Sequence, residues 1–276
     1  MGRRTLPIAI VSIEGTNCDA ELATALRSLG TQPEIVQLKQ LEANRVAPDQ
    51  RRRLMDYAAL FVPGGFSAGD YVRAGAIFAA RMRASIGPEL EEFVRDGRMV
   101  GGICNGFQIL TEIGLLPGTR GGRLGPPGAA LMTNDSNRFE CRPTYLAWQG
   151  GAFPPLQAWP KGERLYVPSA HAEGKLILPG APGQRLRELE DAGQVLFRWV
   201  APDGSPASYP WNPNGSEGNV AGICNPEGNV FGLMPHPERS FFSIQRPDWT
   251  RGGHPEGLGD GARLLDAVVT YAERHA

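Results

Sequence analysis

A small set of residues in this chain has the types and the spacing for acyl transfer through a thiol. Gly102-Ile103-Cys104-Asn105-Gly106 has the G-x-nucleophile-x-G form, with an apolar run before it and a helical apolar pattern (Phe107, Ile109, Leu110, Ile113) directly after. That context is what a nucleophile elbow needs, because side chains flanking the sharp turn would collide and glycines do not. A sulfur at such an apex meets backbone N–H groups and the positive end of a helix dipole, a setting in which thiols become nucleophiles. A lone cysteine in a strand-to-helix turn is otherwise a packing residue, since Cys is among the most buried residue types. The glycine bracket is what separates the two readings.

Two further segments supply what a thiol nucleophile requires. Met234-Pro235-His236-Pro237-Glu238-Arg239 follows a late apolar run. In it His236 can take the proton of Cys104 and hand it to a departing amine, while Glu238 orients the imidazole and stabilises its charged form. Prolines on both sides restrict the backbone that carries the ring. Val62-Pro63-Gly64-Gly65-Phe66-Ser67 ends an earlier apolar run, at the strand edge where open α/β sheets collect ligands. Bare backbone N–H groups at Gly65 and Asn105 are the natural pair of oxyanion donors.

The elements that must position these groups are legible as alternating short apolar runs and amphipathic segments. Leu6 to Ile13 reads as a first strand, Cys18 to Leu29 as a helix, Glu34 to Leu38 and Tyr57 to Val62 as the next strands. A helix from Ile86 to Arg95 and a strand from Met99 to Ile103 lead into the elbow. Buried strands alternating with helices argue for an open, mostly parallel sheet flanked by helices. After Gly121 the pattern changes to strands parted by turn-rich loops (Thr144 to Trp148, Leu165 to Val167, Gln194 to Val200, Val220 to Asn225), an antiparallel-rich second half. A strand from Asn229 to Met234, loops from Arg246 to Asp260 and a helix from Gly261 to Arg274 close the chain. Neither a repeat nor a linker divides it, so residues 1–276 are expected to form one domain.

Composition excludes several function classes. With 28 basic and 29 acidic side chains, the chain has no field suited to nucleic acid. Four cysteines without a CxxC pair and only four histidines indicate neither a zinc cluster nor a disulfide framework, so reduced thiols in a cytoplasm are expected. No metal site is expected. No apolar stretch approaches the roughly 20 residues that span a bilayer. The opening MGRRTLPIAIVSIEG reads as a first strand rather than a targeting segment, and no membrane partner is expected.

The elbow, the glycine loop and the H-x-E triplet in this order resemble class I, triad-type glutamine amidotransferases. Within that class the strings GDYVRAG (69–75), NPNGS (212–216) and MPHPERS (234–240) are similar to those of the glutaminase subunits of phosphoribosylformylglycinamidine synthase, as are NDSNRFECR (134–142) and HAEGK (171–175). The resemblance runs almost end to end and implies a flavodoxin-like α/β fold. It implies that Cys104 attacks the glutamine side-chain amide with His236 as base and Glu238 as its partner, and that Gly65 and Asn105 bind the oxyanion. Gln108 carries over as a contact to bound glutamine; helical spacing independently puts it on the face of Cys104. Ser136, Arg138 and Phe139 fall in the segment that lines the glutamine pocket in this class. Arg138 can equally be an ion-pair residue and Phe139 a core aromatic, and His171 and Glu173 belong to a signature without a stated role.

The resemblance also implies a destination for the ammonia: an ATP- and Mg-dependent synthetase subunit making formylglycinamidine ribonucleotide in purine biosynthesis, with a small accessory subunit between the two. This chain has no GxxxxGK[ST] loop, so it is expected to bind no cofactor itself. Departures from the family pattern are a long segment after Ser240 and the opening loop EGTNCD, which lacks a proline before its glycine. Two other classes use comparable parts. Glyoxalase-like thiol enzymes place a cysteine on such an elbow without the late H-x-E, and a non-catalytic binding subunit would have lost one of the three groups.

Overall fold

The computed structural model describes residues 6–42, 45–251 and 255–275. Met1–Thr5 of the opening segment and residues 252–254 of the late loop therefore lie outside the described residues. The chain builds a nine-stranded sheet in the order β2-β1-β3-β4-β13-β12-β11-β7-β8. Its parallel side comprises β1 (Pro7–Ser12), β2 (Gln32–Gln37), β3 (Ala59–Val62), β4 (Met99–Ile103) and β13 (Val230–Leu233). The sheet then turns antiparallel through β12 (Val220–Cys224), β11 (Val195–Val200), β7 (Tyr145–Trp148) and β8 (Arg164–Tyr166). The parallel first half and antiparallel second half read from the sequence are both present.

Burial explains the order. Every residue of β3, β4 and β13 is buried, as expected of parallel strands covered on both faces, whereas β2 at the sheet edge has a single buried residue. The flanking helices are α1 (Asp19–Ser28), α2 (Ala76–Arg95), α3 (Asn105–Glu112), α4 (Gln184–Asp191) and α5 (Asp260–Arg274). α2 begins ten residues before the sequence reading, which started at Ile86. Gly87-Pro88 looks like a helix start, but the buried stripe Phe78, Met82, Ile86 and Leu90 carries the helix through it, at the cost of the N–H that proline lacks.

Two small antiparallel pairs stand apart from the main sheet. β5 (Ala130–Thr133) pairs with β10 (Glu173–Ile177), and β6 (Glu140–Arg142) pairs with β9 (Ser169–His171). The sequence reading contains none of these four strands. They are three to five residues long, too short for an alternation of apolar and polar residues to register. No helix among the described residues is long and apolar enough to cross a membrane.

Candidate active site

Cys104 joins β4 to α3 with φ 52° and ψ −108°, a left-handed backbone that costs a non-glycine residue about 1–3 kcal/mol. Neighbouring strands impose it. The Cys104 N–H donates to the Leu233 carbonyl (2.8 Å), and its own carbonyl accepts from the amides of Phe107 (3.0 Å) and Gln108 (3.2 Å). The bracketing glycines are steric requirements. A Cβ on Gly106 would lie 1.8 Å from the Val62 carbonyl oxygen, and one on Gly102 would lie 2.6 Å from that of Gly106. The elbow is thus pressed directly onto the end of β3.

His236 arrives from β13 and is tied down by its N–H to the Pro168 carbonyl (2.8 Å). Its Nδ1 meets Glu238 Oε1 at 2.6 Å, with both residues at most 2% exposed. Burial alone would lower the imidazole's pKa. The Glu238 carboxylate, then the charge and hydrogen bonding of Cys104 and the hydrogen bonding of Cys18, outweigh it and raise the pKa well above the ordinary histidine value. Gly64 fixes the assembly: a Cβ there would meet His236 Cε1 at 2.7 Å and both Cys104 Cβ and Cys18 Sγ at 3.2 Å. Nucleophile, base and a second thiol therefore surround one glycine. The sulfur of Cys104 also lies 3.6 Å from the Ala170 carbonyl.

The two expected oxyanion donors flank this space. Gly65 has φ 139°, a conformation open to glycine, and among the described residues neither its amide nor that of Asn105 donates to a protein acceptor. Ser67 and two side chains of α3 form a relay behind them. Ser67 Oγ donates to Asn105 Oδ1 (2.6 Å), Asn105 Nδ2 donates to Gln108 Oε1 (2.9 Å), and Gln108 Nε2 donates to the Glu173 carbonyl.

A cavity of about 100 Å³ opens on these groups, lined by Cys104, His236, Gly65, Gln108 and Phe139, and also by Cys18, Asp70, His171, Glu173 and Arg239. A larger cleft of about 600 Å³ along Glu14, Gln37, Glu42 and Arg81 contains no thiol or histidine. Of the residues expected to line the substrate pocket, Phe139 does so from a half-exposed position, 6.1 Å from the Phe66 ring. Ser136 and Arg138 are not on the cavity wall. Arg138 is exposed and gives its carbonyl to Asn134 Nδ2 (2.9 Å), and Ser136 Oγ is buried without a partner.

The structure adds wall residues that sequence reasoning left without a role. Burial, and behind it the Glu173 carboxylate, push the Asp70 carboxyl up to about 6. Burial, and behind it the charge of His236, drive His171 down to about 3. Burial raises the Cys18 thiol, against a hydrogen bond to His236. Potential metal donors from Cys18, Glu21, His236 and Glu238 lie within 4.8 Å of one another. Arg239 already supplies the cation there, donating to Glu21 Oε1 (2.9 Å) and Cys18 Sγ (3.2 Å). The strings EGTNCD, GDYVRAG and HAEGK were the available signal for this wall; nothing in their spacing says that they meet.

Residues 5–272 match the model of the CobB/CobQ-like glutamine amidotransferase domain. The phosphoribosylformylglycinamidine synthase subunit PurQ of Archaeoglobus fulgidus is 45% identical over 99% of this chain and all of its own length. The same subunit from Moorella thermoacetica is 39% identical over 98% of each chain. Among solved structures, PurLQS from Thermotoga maritima contains a chain that is 31% identical and superposes with a TM-score of 0.70 over 97% of this chain and 99% of its own.

Proposed function

The chain belongs to the CobB/CobQ-like glutamine amidotransferases, and among them to the glutaminase subunits of phosphoribosylformylglycinamidine synthase; from that membership we propose that Cys104, His236 and Glu238 hydrolyse glutamine to glutamate and ammonia for purine biosynthesis. The observation that carries the assignment of residues is the packing around Gly64, where base and nucleophile lie within contact of a single glycine.

The steps follow from the geometry. The Cys104 sulfur attacks the glutamine amide carbon, and the oxyanion forms between the amides of Gly65 and Asn105, which are prearranged by backbone rather than by mobile side chains. The proton held on His236 passes to the departing nitrogen, and ammonia leaves a γ-glutamyl thioester. Glu238, at 2.6 Å from Nδ1, keeps the ring oriented and its charged form stable through this transfer. Water then displaces the sulfur and glutamate departs.

The same subunit type occurs in PurLQS of Thermotoga maritima, and we infer a comparable assembly here, with a synthetase subunit and a small accessory subunit. ATP and Mg belong to the synthetase in this reading, and this chain binds no cofactor. The experiment is a coupled assay with the purified synthetase. Cys104→Ala should cut glutamine-dependent amidine formation by more than about 10⁴-fold while ammonia-dependent formation stays at wild-type level. Retention of glutamine-dependent turnover in that variant would refute the assignment.

A further inference from the structure

Two family-specific strings, HAEGK (171–175) and NPNGS (212–216), take no part in the triad, yet they meet at His171, a residue of its cavity wall. His171 is 3% exposed and Asn214 is fully buried. Asn214 Oδ1 accepts from the Ser216 backbone amide (3.0 Å) and from Ser216 Oγ (2.7 Å). Its Nδ2 is therefore the donor, one hydrogen going to the Gly174 carbonyl (2.8 Å) and the other to His171 Nε2 (3.1 Å). A ring nitrogen that accepts carries no hydrogen, so His171 holds its proton on Nδ1.

The orientation of that N–H follows from packing. A Cβ on Gly174 would lie 2.3 Å from His171 Cδ2 and 2.5 Å from Nε2, so this edge of the ring rests on the Gly174 backbone. Nδ1 is the opposite corner. It is buried and takes no protein partner, while the buried Nε2 of His236 has only the sulfurs of Cys104 and Cys18 beside it. Both residues line the one cavity, and His171 lies within the electrostatic reach of His236. His171 Nδ1 is a fixed donor, and His236 Nε2 is an acceptor whenever His236 is neutral. A water between them would have two of the polar partners it needs.

We propose that His171 is a positioning residue for thioester hydrolysis, its Nδ1–H holding the water that His236 deprotonates, with Asn214 setting the tautomer. The proposal rests on the glutaminase reading above. The water oxygen, held by His171, bonds to the thioester carbon and gives one proton to His236 Nε2. The C–S bond breaks with its electrons on the Cys104 sulfur, and the other water proton leaves with the new acid group of glutamate. Acylation, which needs no water, is independent of His171.

The test is made on the complex with the synthetase, by steady-state kinetics and by intact-mass analysis after rapid quenching with glutamine. His171→Gln keeps an acceptor for Asn214 near Nε2 and loses the Nδ1 donor. It should lower kcat about 10- to 100-fold, leave KM unchanged or lower it, and make the γ-glutamyl thioester on Cys104 the dominant species. His171→Asn, whose amide nitrogen falls near Nδ1, should recover part of the rate. A wild-type kcat in His171→Gln, a rise in KM alone, or a fall in kcat without accumulated thioester would each overturn the proposal. Nitrogen-15 NMR of the wild-type protein gives a check that no variant's folding can confuse: an Nε2–H tautomer at His171 overturns it, and Nδ1–H supports it. If the wild type itself forms no thioester and releases no ammonia, the glutaminase reading falls and this inference with it.

Discussion

The parallel strands and the antiparallel ones build opposite sides of the same cavity by different physical means. On the parallel side the chemistry is positioned by backbone contact. Cys104 is forced into its turn by strand neighbours, and Gly64, Gly102 and Gly106 are places where no Cβ fits. On the antiparallel side the wall is held by buried amides. Asn134 bridges the Arg138 and His171 carbonyls and the Gly174 amide, and Asn214 joins His171, Gly174 and Ser216. Steric positioning tolerates isosteric changes of charge, while an amide network fails once a member is removed. The two sides should therefore break in different ways.

Glu238→Gln probes the parallel side and has the largest expected effect. The substitution preserves shape, so the thermal midpoint should move by no more than about 2–3 °C. Glutaminase kcat/KM should fall about 10²- to 10⁴-fold, because the imidazole loses the partner that orients it and stabilises its charge. Its pH profile should move in a definite direction. Glu238 is the leading influence raising the His236 pKa, so the variant's imidazolium loses its proton at lower pH and the alkaline limb shifts acidward. A large loss of midpoint with retained activity would show that Glu238 is a packing residue.

Asn134→Ala probes the amide side and should give the reverse pattern. Asn134 is 3% exposed and ties β9 to the loop before β6. Its removal takes the side-chain partner from two carbonyls and from the Gly174 amide, at about 1–3 kcal/mol for each buried group left unpaired. The midpoint should drop by roughly 5–10 °C. The triad is not touched, so labelling of Cys104 by an electrophilic glutamine analogue should still go to completion, at a lower apparent affinity. If affinity and midpoint both stay at wild-type values, the wall does not depend on this network.

The same contrast explains what was legible in the sequence. The elbow, the glycine loop and the H-x-E triplet could be read because each is local: a sharp turn demands its own glycines, and prolines restrict their own histidine. Gln108 could be read because helical spacing ties it to Cys104. The wall could not be. Asn214 and His171 are 43 residues apart and Asn134 and His171 are 37 apart, and strands as short as β6 and β9 carry no periodicity. Ser136, Arg138 and Phe139 come from one segment, and of the three only Phe139 lines the cavity.

Asp70 lies where the two sides face each other, and it carries the smallest expected effect. It sits on the loop after β3 with φ 53°, while the carboxylate that acts on it, Glu173, opens β10. Burial, then Glu173, raise its pKa from 3.8 to about 6. Between these values the folded chain holds a proton that the unfolded chain has released, so stability falls as pH rises from about 4 to about 6. Asp70→Asn removes this dependence. Wild type and variant should melt alike at pH 4, and the variant should melt higher at pH 7, by on the order of 1–4 °C because the side chain is only partly buried. Adding Glu173→Gln to Asp70→Asn should bring little further gain, since the repulsion across the cavity is already gone. Full additivity of the two substitutions would mean that the two sides of the cavity are electrostatically independent.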